Sequence, residues 1–205
     1  ASLAVGDPSN ESFDLNNGRA RLLYRYDSID DTSFPTRGMR IDATVQGIRT
    51  GLGADSNRDR AALEWLGVRT FGDTHVLTSL RLGSNFGGDG GVDDEFELGG
   101  LFQLSGFRTG ELRGQHTALL TLSAYERIRF GDRVPLPIYA GLSLEAGNVW
   151  NDSDNVSGGD LRFSGSVFLG VQTFLGPAYF AYGRSEDGRS AASFFLGQRF
   201  GTSIR

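Results

Sequence analysis

Side chains able to act as nucleophiles, bases or metal ligands are scarce in this chain. There are two histidines, His75 and His116. Neither has a Ser and an Asp or Glu at a spacing that suggests a nucleophile, a base and an orienting acid, and no G-x-S-x-G elbow occurs. Cysteine is absent, which removes thiol nucleophiles, thiolate zinc sites and disulfides together. All 20 basic residues are arginine, so there is no lysine for a Schiff base or a phosphate-binding loop. The run from Gly87 to Asp94 has the look of a calcium-binding Gly-Asp repeat, but it occurs once and such sites need stacked copies. It reads as a solvated loop, as do Asp152 and Asp154. No catalytic residue, metal site or cofactor is assigned, and a formal charge of -5 argues against a nucleic-acid surface.

The pattern the sequence does carry is alternation. Glycine supplies 30 and phenylalanine 15 of the 205 residues, and apolar runs are only a few residues long, far short of the ~20 that a transmembrane helix needs. Ala20, Leu22, Tyr24 and Tyr26 alternate with Arg19, Arg21, Arg25 and Asp27. Leu142, Leu144 and Ala146 face Ser143, Glu145 and Gly147, and Leu161, Phe163, Val167 and Leu169 face Arg162, Ser164 and Ser166. Each is a period-2 strand with one apolar and one polar face. The reading gives about ten strands: 1–5, 18–27, 37–49, 58–71, 74–86, 113–130, 136–150, 161–174, 178–185 and 190–200. Short turns at Gly72-Asp73, Gly131-Asp132-Arg133 and Gly176-Pro177 alternate with polar loops at 7–17, 50–56, 151–160 and 185–190, and one stretch, 87–112, is much longer. Ser28–Thr36 is a medium link on the short-turn side.

Alternation alone does not say which face meets water, because a soluble barrel and a membrane barrel share it. Three features favour the membrane. Aromatic residues gather near strand ends (Tyr24, Tyr26, Phe71, Phe86, Phe130, Tyr139, Trp150, Phe174, Tyr179), small residues are frequent inside strands, and long loops lie at one end with short turns at the other. The chain also finishes on a strand that contains Phe194 and Leu196 and ends in Phe200. This is the form of an outer-membrane assembly signal.

The segment from Glu95 to Arg108, EFELGGLFQLSGFR, resembles the sixth external loop of the BamA-like superfamily (the bacterial surface antigen family), which folds back into the barrel lumen. Asp30–Gly38, DDTSFPTRG, is similar to that family's D-x-x-x-F-P-x-x-G turn, and Leu144–Trp150, LEAGNVW, to its lumen strand. Within the superfamily, Leu104–Leu112 and Leu144–Trp150 look like the barrel of patatin-like phospholipase autotransporters (type V-d secretion). The resemblance implies an all-β fold: an antiparallel up-and-down transmembrane β-barrel over 1–205, with 87–112 as the lumen-folded loop. It would be the last ten strands of a 16-stranded barrel.

The resemblance also implies site residues. Gly99, Gly100, Leu104, Ser105, Gly106, Phe107 and Arg108 would form the loop motif, with Glu145 and Gly147 as its partners on the lumen wall. One departure stands out: Ser105 occupies the place of the family's loop-tip Arg, and Arg108 follows three residues later. Arg108, or a wall arginine such as Arg127 or Arg162, is expected to pair with Glu145, unless that carboxyl is simply solvated in the lumen. The function implied is an outer-membrane translocator that anchors and displays an N-terminal patatin-like passenger. Its partners would be outer-membrane lipid, the barrel assembly machinery and that passenger. A passive channel, an assembly factor, an outer-membrane hydrolase and a soluble ligand-binding barrel are the alternatives. Oligomeric state stays open.

Overall fold

The computed structural model describes residues 2–3, 11–16, 19–49, 57–87, 95–129 and 136–197. Before the long loop come β1 (Ser2–Leu3), β2 (Glu11–Asn16), β3 (Arg19–Asp27), β4 (Gly38–Ile48), β5 (Arg58–Phe71) and β6 (Thr74–Phe86). The loop carries two short strands, β7 (Phe96–Leu98) and β8 (Leu112–Gly114). After it come β9 (His116–Ile128), β10 (Ile138–Trp150), β11 (Arg162–Thr173), β12 (Gly176–Ser185) and β13 (Ser190–Leu196). Among the described residues the main sheet has 11 strands, each antiparallel to its neighbours in the sheet, and β6 pairs directly with β9. The β7–β8 ribbon stands outside this ladder.

Two boundaries differ from the sequence reading. The polar run 7–17 contains β2, whose residues Glu11–Asn16 pair with Tyr24–Arg19. Phe13 and Leu15 alternate there with Ser12 and Asp14, a pattern too short to show against its polar surroundings. The Asn17-Gly18 dipeptide that separates the two strands is a strong hairpin signal. Six strands therefore precede the long loop, where five were expected. Similarly, the span 113–130 divides at Gln115, because Leu112–Gly114 pairs with β7 inside the loop. The final strand is described to Leu196, and Phe200 lies outside the described residues.

Burial settles the orientation of the faces. On β10, Leu142 and Leu144 are 50% and 59% exposed, whereas Ser143 and Glu145 beside them are 1% and 2% exposed. On β11, Phe163, Val167 and Leu169 face outward while Ser164 and Ser166 are buried, and Leu120 and Leu122 of β9 flank the buried Thr121 and Ser123 in the same way. A water-soluble sheet would do the reverse. Apolar outside and hydroxyl-lined inside is the arrangement of a wall that meets lipid. The expected aromatic girdle needs correction: Tyr24, Tyr26, Phe71, Phe86 and Phe174 are exposed, but Tyr179 and Trp150 are buried and Tyr139 is half-buried against Phe34, while Phe130 lies outside the described residues.

Tyr179 and its neighbours line the floor of the concave face, into which the Ser28–Thr36 link folds. Asp31 accepts the amides of Ser33 (2.6 Å) and Phe34 (3.0 Å), which bends the chain inward. Asp30 holds the other limb through the amides of Thr36 (2.9 Å) and Arg37 (3.2 Å). Phe34 then stacks on Tyr139 at 4.1 Å and sits so close over Gly170 that a Cβ there would lie 2.4 Å from its ring. The hydroxyl of Tyr125 donates to the Pro35 carbonyl, and that of Tyr179 to the Ser33 carbonyl at 2.7 Å. These contacts tie β3–β4 to β9–β12 across the concavity, so the sheet must curl to bring them together.

Candidate functional site

The loop from Glu95 to Gln115 lies against this concave wall from β6 to β12. At its near end the Phe96 ring packs over Gly83 of β6 and under the Arg60 guanidinium, 3.9 Å from the ring centroid. A tight internal ladder follows: the Gly99 amide donates to Gln103 O (2.6 Å), Gly100 to Phe107 O (3.0 Å), Gln103 to Gly100 O (2.9 Å) and Phe107 to Leu104 O (2.9 Å). Gly99 and Gly100 adopt φ of 120° and 93°, but Phe102 and Leu104 are also left-handed, at 64° and 70°. Non-glycine residues rarely hold that conformation unless their surroundings fix it. Here burial fixes it: Leu98, Leu104 and Phe107 pack with Leu119, while Leu101 and Phe102 join the cluster around Phe34, Tyr125, Phe168 and Tyr179.

The loop tip is held by Glu145. Ser105 donates its amide to Oε2 (2.5 Å) and its hydroxyl to Oε1 (2.6 Å), and the Ser143 hydroxyl donates to the same Oε1. Ser143 is in turn bonded to Ser166 Oγ at 2.8 Å. Ser105 Oγ also accepts the Phe102 amide (3.0 Å), and Thr121 Oγ1 donates to Phe102 O (3.0 Å). A carboxyl group this deeply buried is costly unless its oxygens are bonded, and three donors meet that need. The expected guanidinium partner is therefore corrected. Among the described residues no arginine pairs with Glu145, Arg108 is exposed, and Ser105 does by hydrogen bonding what an arginine would do by charge. The backbones on this side are in contact. A Cβ on Gly183 of β12 would lie 2.3 Å from Ser105 O, and one on Gly106 would lie 2.3 Å from Ser185 N.

The other expected site residues fall into two groups. Gly147 is buried two residues beyond Glu145, where a Cβ would meet Ala118 O at 2.6 Å. Phe194 and Leu196 of β13 face outward, and Phe194 lies 4.8 Å from Phe180 of β12. Across the concavity a second polar band balances arginines with acids: Arg25 and Arg40 both reach Asp42 (2.5 and 3.2 Å), and Arg81 reaches Glu64 (2.9 Å). Sequence reading named other arginines for this wall and missed these carboxylates, although Asp42 and Glu64 do fall on polar faces of their strands. The histidine rings bond to Thr70 Oγ1 and Ser84 Oγ, each at 2.8 Å, and no carboxylate among the described residues orients either ring.

An inside-out antiparallel wall with a loop pinned to its inner face has a counterpart in known families. The model of the Omp85 superfamily domain matches residues 6–200. The chain belongs to the Omp85 superfamily. It is a β-barrel protein of the bacterial outer membrane, so its long-loop end is the external one. Among solved structures it is similar to BamA from Haemophilus ducreyi lacking POTRA domains 1-3, with a TM-score of 0.69 and 18% sequence identity, over 86% of this chain and 42% of that one. The chain thus spans less than half of that structure. No curated protein matches it.

Proposed function

We propose that this Omp85 barrel translocates a passenger chain to the cell surface, with the Glu95–Gln115 loop as an internal plug whose docked state is set by Ser105 and Glu145. The observation that carries this reading is the three-donor seat of Glu145. It seats the loop tip on the concave wall through two hydrogen bonds from Ser105, contacts that a passing chain can exchange for its own amides. The passenger class, a patatin-like hydrolase, rests on the likeness of Leu104–Leu112 and Leu144–Trp150 to autotransporter barrels. Partners in this reading are outer-membrane lipid, the barrel assembly machinery and the passenger.

The test is protease shaving of intact cells that express the natural gene, wild type against a deletion of residues 96–112. Loss of surface passenger with normal barrel levels is the expected result. Unchanged display would sink the plug as a working part. A second reading, an assembly factor for other barrels, draws on the structural likeness to BamA. It predicts that depletion lowers the levels of unrelated outer-membrane barrels, whereas the translocator reading predicts loss of the passenger alone.

A further inference from the structure

Phe107 lies one step beyond the Gly106 contact, and its ring is fully buried. Two guanidinium groups from the wall cover it: Arg162, which opens β11, at 5.6 Å from the ring centroid, and Arg189, just before β13, at 5.2 Å. Arg189 does more than stack. Its Nη1 donates to Glu111 Oε1 on the returning limb of the loop, and the other oxygen of Glu111 accepts the Arg108 amide at 2.8 Å. Its Nε pairs with Asp187 at 3.0 Å.

The β12–β13 connection is built to hold that guanidinium still. Asp187 accepts the Ser185 hydroxyl and, at 3.2 Å, the Arg189 amide, while the Ser185 amide donates to Arg189 O at 3.0 Å. The Ser185 hydroxyl, with help from the Arg189 amide and charge, keeps the Asp187 carboxyl below its ordinary value, so it remains an anion for the arginine. Glu186 ties the same connection to β11, its amide donating to Phe163 O (3.0 Å) and its carboxyl accepting the Phe163 amide (3.3 Å).

We infer that Arg189 is the positioning residue of the inserted loop: a clamp supplied by the β12–β13 hairpin, which grips Phe107 by its face and Glu111 by its charge. The loop tip carries serine where a guanidinium was expected, and the wall supplies guanidinium instead, aimed at an aromatic ring and an acid that the loop contributes. The consequence is directional. Movement of the β12–β13 hairpin pulls on both limbs of the loop at once, so the pose of the loop reports the pose of that strand pair. The clamp concerns only that pose, and it stands whether or not the barrel exports a passenger.

The test is hydrogen exchange on the full chain in detergent or nanodiscs, read on loop amides 99–107 against amides of β9 and β10. Arg189→Ala is expected to speed loop exchange about tenfold, the scale of one exposed cation–π contact plus one half-exposed ion pair, with β9 and β10 unmoved. Arg189→Lys keeps charge without the planar face and should recover protection only in part. Exchanging the charges in Arg189→Glu with Glu111→Arg should likewise recover part, which simple loss of packing would not do. High salt should speed loop exchange in the wild type and have little effect in Arg189→Ala, since screening acts on the exposed pair. This arm needs no variant to fold in the wild-type case. Loop exchange within twofold of wild type in Arg189→Ala, or insensitive to salt in the wild type, overturns the clamp.

Discussion

Replacing Gly183 with alanine tests the loop seat from the wall side, without touching the loop. The new methyl would lie 2.3 Å from Ser105 O and 2.5 Å from its carbonyl carbon, whereas ordinary contact begins near 3.4 Å. Both are backbone atoms, so no side chain can swing aside, and the tip has to lift by about 1 Å. If it lifts away from the wall, the bonds from Ser105 to Glu145, now 2.5 and 2.6 Å, stretch to about 3.6 Å, beyond hydrogen-bond range. Each is worth roughly 1.5–3 kcal/mol because the acceptor is a carboxyl group, and water entering the gap restores part of that. A net loss of about 2 kcal/mol corresponds to roughly 30-fold faster exchange of the Ser105 amide. The assay is hydrogen exchange followed by mass spectrometry on peptides spanning 99–107, with single-channel conductance in planar bilayers beside it. Gly159→Ala is the control, since a Cβ there meets nothing closer than 3.5 Å. Exchange of the tip amides within threefold of wild type, with conductance unaltered, would refute the reasoning.

Three further outcomes are expected. Phe34→Ala removes the ring stacked on Tyr139 and packed against Tyr125 and Tyr179, and should lower stability in denaturant unfolding by about 3–5 kcal/mol. Leu144→Arg puts a guanidinium on the lipid-facing side of β10; near the midplane this costs about 2–4 kcal/mol, read as a lower unfolding midpoint in lipid vesicles and a smaller effect in detergent. Partial burial pushes the Asp30 carboxyl up, but hydrogen bonds from the Thr36 hydroxyl and the Thr36 and Arg37 amides win and hold it below its usual 3.8. A carboxyl depressed on folding contributes stability above its unfolded value and loses it as pH falls through the folded one. The Tm advantage of wild type over Asp30→Asn should therefore be complete at neutral pH and shrink below about pH 4; an advantage independent of pH would remove this role.

Strand alternation was legible because the wall is one layer thick. Each residue faces either lipid or lumen, so Leu142, Ser143, Leu144 and Glu145 could be read as a strand from their chemistry alone. Alternation alone left open which face was inside, since polarity is inverted without any change of period; the aromatic strand ends, the small residues and the loop asymmetry pointed to the membrane. β2 was lost because Phe13 and Leu15 are its only apolar residues. At the loop, the glycines and Ser105 were recognisable as a motif, but the guanidinium partner was a wrong inference from charge. A buried acid needs donors rather than a cation, and Ser105 and Ser143 supply them. Phe102 and Leu104 could not be identified as left-handed, because leucine and phenylalanine carry no local signal for it. Arg189 was invisible for a simpler reason. Its partners Phe107 and Glu111 lie some 80 residues earlier, and only the fold brings them together.

The inward turn around Phe34 bears on the order in which the chain matures. It belongs to the first part of the sequence, yet its carbonyls are bonded by hydroxyls 90 and 146 residues further on, from Tyr125 and Tyr179. Closing spans of that length is slow; the first bond requires β9 in the sheet and the second requires β12. Until β9, β10 and β12 are in place, Phe34 lacks the rings of Tyr125, Tyr139 and Tyr179 that cover it. Burial of Phe34 therefore marks a sheet in which β3–β4 and β9–β12 have already come together.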